Sequence, residues 1–259
     1  MAPALTLPRS VQLALRLTSG ADAEALVADP DALAAGKGTD EPHLVATYDD
    51  DAPVAQSTLG TLLGAWGGTV RSAAAVLPAP GDVCGVPATV SDDAVAAGEC
   101  VLATTPAGSF AAVPLGSARD SGHLVTWQVR RVPPWEQSVL GAVGSVADAE
   151  RTLREALVTA VAALDSLDVA RWRPDAVDAI GALREHVDGV HPDPMRARVL
   201  ALSARLRVIV ALATADDGGA VNLWQSDQRS AALRHIDTAA RHAMCAATLV
   251  AGVPQSTER

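Results

Sequence analysis

Residues 145–166 read SVADAERTLREALVTAVAALDS, and this stretch decides the architecture of the second half of the chain. Ser145 and Asp148 stand three residues apart, the spacing of a capping box, in which a hydroxyl and an acid satisfy each other's orphan amides. Leu153, Leu157, Val161 and Leu164 then recur every three or four residues, the period of one helix face. Glu150 and Arg154 form an i,i+4 pair in the favourable orientation, read as lying on the outer face. The spacing predicts a helix over about 146–167.

Downstream, the same logic repeats. Pro174 suits a first helical turn, because its missing N–H needs no partner there. Val177, Ile180, Leu183 and Val187 form the next stripe, stopped by Gly189 and Pro192. Asp193-Pro194 caps and opens a third helix running to about Ala215, ahead of Asp216-Asp217-Gly218-Gly219. A fourth, over about 227–250, carries Leu233, Ile236, Ala240, Met244 and Ala247 on one face and ends at Gly252 and Pro254. Four helices with short connections pack most simply as an antiparallel bundle. The third is apolar around most of its girth (Val199, Leu200, Leu202, Leu206, Val208, Ile209, Val210, Leu212), so it is central or covered by a second subunit. Arg198 and Arg205 share one of its faces and Arg196 and Arg207 the opposite one. At least one such pair should meet acids or an interface. A homodimer assembled through the helices is the expectation.

Upstream, strands and helices mix. Pro8–Leu17 is ambiguous: Val11, Leu13, Leu15 and Leu17 alternate like a strand, while its leucine, alanine, glutamine and arginine favour the helix taken as the reading; 21–28 reads as a second short helix and HLVATY (His43–Tyr48) as a strand. Gln56–Trp66 reads as a helix ended by Gly67-Gly68, and Val70–Leu77 as a buried strand. Asp92–Ala97 reads as a short helix closed by Gly98. Glu99–Thr104, Ser109–Leu115 and His123–Val132 follow with short turns between them, which suggests an antiparallel meander. The fold class is therefore α+β: a small mixed sheet with flanking helices, then an antiparallel C-terminal bundle of about four helices. Val132-Pro133-Pro134-Trp135 marks the boundary between an α/β subdomain (1–135) and a helical bundle subdomain (136–259).

Composition narrows the function. The 259-residue chain has net charge −10, and both halves are net negative. A nucleic-acid surface needs a concentrated basic stripe, and an anionic membrane attracts the same, so neither is expected as a partner. No stretch reaches the length and apolarity of a membrane span. The N-terminus, MAPALTLPRSVQLALRL, is broken by proline and arginine and does not read as a secretory leader. Cys84, Cys100 and Cys245 form no CxxC pair and read as reduced thiols, so a cytoplasmic location is expected. Aromatics are only 3%, which makes each tryptophan a packing centre.

The stretches PAPGDVCG (Pro78–Gly85), VSDDAVAAGE (Val90–Glu99), LDVARWRPDAVD (Leu167–Asp178) and DDGGAV (Asp216–Val221) give the chain its likeness. It resembles uncharacterised proteins of high-GC actinobacteria over most of its length. The resemblance implies a bacterial, cytoplasmic protein and no particular activity.

Candidate chemistry is sparse. The PGDVCG turn follows a strand, where α/β sheets often bind ligands. Asp82 can hold a hydroxyl or a metal there, and Cys84 can act as a nucleophile. The competing reading is a proline-glycine turn with Asp82 bonded to local backbone. His43 and His123 each open a strand in the same half and are the histidines that could complete a thiol dyad. His186, His191 and Asp193 bracket the turn between the second and third helices and with Asp188 could ligate a divalent metal, but Gly189 and Pro192 interrupt the i,i+4 register that a helical metal site uses, and an exposed polar turn is the reading. Arg234, His235, Arg241 and His242 repeat along helix four away from its apolar stripe and read as a solvated face. Asp49-Asp50-Asp51 lacks the distal glutamate of a calcium loop. No metal and no cofactor are expected. The primary functional reading is a non-enzymatic binding or interaction protein. The alternative is a small-molecule enzyme with its site between the halves, near Asp82 and Cys84. That alternative requires a pocket bringing Asp82 or Cys84 within hydrogen-bond reach of His43 or His123.

Overall fold

A computed structural model of the chain describes residues 7–19, 43–49, 52–119, 122–166, 191–214 and 223–252. Their contacts divide into two compact units, Leu7–Val143 together with the chain from Thr248 onward, and Gly144–Ala247.

The first unit is built on a sheet. Among the described residues its strands are β1 (His43–Asp49), β2 (Ala52–Thr58), β3 (Ser72–Val76), β4 (Cys100–Thr105), β5 (Gly108–Arg119), β6 (Gly122–Val132) and β7 (Val250–Ala251). They lie in the order β2-β1-β6-β5-β4-β3-β7. Only β1 and β6 run parallel; every other neighbouring pair is antiparallel. The expected mixed sheet and the β4-β5-β6 meander are both present. β5 and β6 continue past the expected ends into a long hairpin.

Alternation decides the faces. Val45, Ala73, Val101, Ala103, Ala112, Val125, Trp127 and Val129 point to one side, and Leu13, Leu17, Leu59, Leu62, Leu63 and Trp66 pack against them. The latter come from α1 (Arg9–Thr18) and α2 (Leu59–Trp66), which cover that face. Thr58 caps α2, its hydroxyl oxygen accepting the Thr61 amide at 3.2 Å. The helix expected from Gln56 therefore begins only at Leu59, and Gln56–Thr58 close β2 instead. The short α3 (Ser91–Ala97) ends on Gly98, whose φ of 72° is the left-handed stop expected of it. Past the two prolines the chain forms α4 (Glu136–Val143), which belongs to the sheet unit.

In the second unit, α5 (Val146–Ser166) starts as its sequence predicts: the Ser145 hydroxyl oxygen accepts the Asp148 amide at 3.1 Å. Asp193 caps α6 (Pro194–Thr214), accepting the Met195 amide at 2.8 Å. α7 (Leu223–Thr248) starts earlier and stops sooner than expected, with Val250–Ala251 already a strand. Helices α6 and α7 form an antiparallel pair fastened at three levels. Arg196, at the start of α6, donates to the Ala247 carbonyl at 3.0 Å. Arg207 meets Asp237 at 3.5 Å near the middle. Arg229, near the start of α7, donates to the Ala213 carbonyl at 2.6 Å. Each helix thus supplies a cation to its partner's C-terminal carbonyls, where the helix dipole favours positive charge.

Val199, Leu200, Leu206, Val208 and Val210 of α6 are buried within this one chain. Glu150 is not on an outer face: it is 7% exposed and is shared by Arg154 (2.6 Å) and Arg198 (3.4 Å). Arg241 likewise is buried, against Asp237 at 3.0 Å, rather than solvated. The expected second helix and the short helix at 21–28 lie outside the described residues, so the described helices establish the α6–α7 pair and the packing of α5 on α6, not a four-helix bundle.

Candidate functional site

The loop after β3 is assembled from two tight turns. Ala79 and Asp82 exchange both backbone hydrogen bonds at 2.9 Å around Pro80-Gly81. Gly81 has φ 83°, the geometry of a type II turn with proline first and glycine second. Val86 then donates to the Val83 carbonyl at 3.0 Å, with Cys84 and Gly85 between them at φ 51° and 80°. Two successive positive φ values are the signature of a type I′ turn. Cys84 is the one non-glycine residue with positive φ among those described. A side chain there costs about 1–2 kcal/mol relative to glycine, so the surroundings must hold it. They do so by close contact: a Cβ at Gly85 would stand 2.6 Å from the Ser138 carbonyl oxygen and 2.8 Å from the Val139 Cα. The turn is pressed against the backbone of α4.

Asp82 and Cys84 are brought together. The Asp82 carboxylate accepts the Cys84 amide at 3.3 Å, the local bond expected of an aspartate turn. The thiol is 2% exposed and stands 3.5 Å from both Asp82 Oδ1 and the Leu77 carbonyl oxygen. Oxygen acceptors of this kind suit a protonated S–H donor.

His43 is placed elsewhere. It opens β1, which is separated from β3 by β6, β5 and β4, four strand spacings or about 19 Å. It is 8% exposed, and its Nδ1 accepts the Trp127 indole N–H at 3.0 Å. An acceptor at Nδ1 assigns the proton of the neutral ring to Nε2. This pairing lets Trp127, fully buried in the sheet core, satisfy its only polar atom. His123 lies in the first residues of β6 opposite Ala118, and its side chain is outside the described residues.

The turn before α6 is a cap. His191 Nδ1 accepts the Asp193 amide at 2.9 Å. Burial and the nearby Arg196 cation both push the His191 pKa down. Asp193 is held low chiefly by the Met195 amide. His186 and Asp188 are outside the described residues. Cys100 is wholly buried, and burial pushes its thiol pKa far up, so it stays protonated.

A polar cluster that sequence reading missed sits on the other side of the sheet. Ser72, Thr104 and Ser109 are direct cross-strand neighbours on β3, β4 and β5. Thr104 donates to Glu136 Oε1 at 2.7 Å, and the Trp135 amide donates to Oε2 at 3.1 Å. Burial opposes ionisation of Glu136, but hydrogen bonds from Thr104, its own amide, Trp135 and Ser72 outweigh it and hold the carboxyl below the ordinary glutamate value. The only trace in the sequence is an acid placed where a helix restarts after Pro133-Pro134.

No helix among the described residues is long and apolar enough to cross a membrane. Residues 19–140 match the N-terminal domain of the Rv1486c-like protein, and residues 147–245 match its C-terminal domain. This bears out the actinobacterial resemblance read from the sequence. No curated protein and no solved structure matches the chain.

Proposed function

We propose that this chain, which belongs to the Rv1486c-like family, is a binding or interaction protein without catalysis of its own, and that it self-associates through its helices. One observation carries the reading: the buried and half-buried ionisable side chains named above, among the described residues, hold elements together. Glu136 clasps sheet to helix, Glu150 gathers two arginines, Arg196 and Arg229 cap neighbouring helices, and His43 serves a buried tryptophan. The helices still present apolar side chains to a second copy. Val158 on α5 is 71% exposed and Ile209 on α6 is 40% exposed. On a chain of net charge −10, uncharged positions are where two copies meet with least repulsion. Light scattering of the full chain from micromolar to millimolar concentration should report a dimer that Ile209→Glu or Val158→Glu weakens. A monomer throughout that range overturns the self-association.

One feature favours a second reading, a small-molecule enzyme acting near Asp82 and Cys84: the positive φ of Cys84, a strain that functional sites often store. Alkylation of the native protein tests it. A thiol that reacts only after unfolding ends that reading.

A further inference from the structure

α6 is a helix of one charge sign. Between Pro194 and Thr214 it carries four arginines, Arg196, Arg198, Arg205 and Arg207, and no acid. Three of them are engaged. Arg196 meets Asp193 at 3.7 Å and donates to the Ala247 carbonyl, Arg198 reaches Glu150 at 3.4 Å, and Arg207 faces Asp237 at 3.5 Å. Arg205 is half-buried, and among the described residues it forms no hydrogen bond and no ion pair. A guanidinium stays charged at every working pH and is seldom enclosed without an acid beside it.

The neighbouring helix has the opposite surplus on a different face. α5 packs on α6, and Glu150 and Arg198 meet within the first two turns of each helix. Arg205 keeps the face of Arg198, because seven residues are close to two full turns. The next acid on α5 is Glu155, five residues past Glu150 and so turned about 140° away from it. Glu155 is exposed and loosely held. Its one cation, Arg151, stands 4.0 Å off and lies closer to Asp148, at 2.8 Å.

Each of these two ions is followed by an exposed aliphatic on its own helix. Val158 comes three residues after Glu155 and Ile209 four after Arg205, which is about 4.5 and 6 Å along the axis. They are the large apolar side chains that the described part of the helical unit exposes. The order is the same on both helices, ion first and aliphatic second. Laid side by side in one direction, the two strips set acid on cation and aliphatic on aliphatic.

We propose that these strips are the surface joining two copies of this chain: Glu155 and Val158 on α5 of one copy receive Arg205 and Ile209 on α6 of the other, and the reciprocal contact forms across the two-fold axis. The charges select a second copy as the occupant, since the cation without an acid and the acid without a close cation belong to the same molecule. The inference rests on the self-association proposed above and names the contacts that carry it.

Charge reversal tests it, read by sedimentation equilibrium of the full chain. Arg205→Glu and Glu155→Arg should each weaken the wild-type dimer on the order of tenfold, since each breaks both copies of the contact and sets like charges face to face. An equimolar mixture of the two variants should dimerise again, because each then meets the sign it needs, and so should the double variant. Glu155→Arg, at an exposed position, reads the pairing even if Arg205→Glu folds poorly. A wild-type dimer that Glu155→Arg leaves intact overturns this pairing while the self-association stands, and so does a loss that neither mixing nor the double variant restores. A wild-type monomer up to millimolar concentration overturns the self-association itself, and this pairing with it.

Discussion

The two units place their polar groups differently. In the sheet unit three of them settle single groups: His43 serves Trp127, Asp82 serves the Cys84 amide, and Glu136 accepts from Thr104. In the helical unit they run along seams between helices, as Arg196, Arg207 and Arg229 do between α6 and α7. The difference follows from what each backbone leaves unsatisfied. A sheet pairs its own amides, so its side chains need only settle isolated buried groups. A helix leaves its last carbonyls open, and long cations are what can reach them. Losing an inward group strands a buried partner, whereas losing Arg229 leaves only a half-buried partner, the Ala213 carbonyl, open to water. The first should therefore cost more.

That ranking can be broken. Gly85→Ala should be the most damaging change, about 3 kcal/mol or more, because it adds left-handed strain and drives a Cβ into the Ser138 backbone. Urea unfolding showing a loss under about 1 kcal/mol would mean the turn can lift off α4. Trp127→Phe should cost about 2 kcal/mol by leaving His43 Nδ1 without its donor and a gap in the core. Arg196→Met, which strands the buried Ala247 carbonyl, should cost about 2 kcal/mol, and Arg229→Met about 1 kcal/mol. They act some 17 residues apart on α6, roughly 25 Å, so the double variant should be additive. A coupled pair would show that the α6–α7 seam acts as one element. Arg151→Ala, at an exposed ion pair with Asp148, should move stability by less than about 0.5 kcal/mol.

Acid sharpens the contrast within the sheet unit. The Glu136 carboxyl is held below its ordinary value of 4.5, so between the two values the unfolded chain binds more protons than the folded one. Its contribution to stability is then present above pH 4.5 and lost as pH falls through the folded value. In urea titrations across that window, Glu136→Gln should show a shallower fall in stability than the wild type. Parallel slopes would remove Glu136 as the acid-sensitive clasp.

How much of this could be read from the sequence depended on range. Ser145 and Asp193 announced their helices because a cap is settled within four residues. Gly98 stopped α3 for the same reason. β2 escaped because Ala52–Thr58, APVAQST, has almost no bulky β-former, and it pairs as an edge strand whose residues are all exposed or half-buried. Its identity comes from β1, not from itself. α4 was hidden by two prolines that announce an ending, although the chain restarts two residues later. At the site, the bond between Asp82 and the Cys84 amide is local and was legible. The His43–Trp127 pair spans 84 residues, and the clasp joins Thr104 of β4 to Glu136 of α4 across 32, so no spacing could reveal either.

One strand has an evolutionary implication. β3, SAAAV, is buried at all five positions, and α1 packs over it. Ala73 and Ala75, on the face toward α1, present only methyl groups, which lets the helix ride low on the sheet and leaves no loose volume beneath it. An extra branch at Ala73 or Ala75 cannot be absorbed by a rotamer change nearby; it has to shift the helix as a body. Such positions should resist drift toward larger residues more stubbornly than the leucines around them, and a lineage that enlarges one should show a matching reduction on α1.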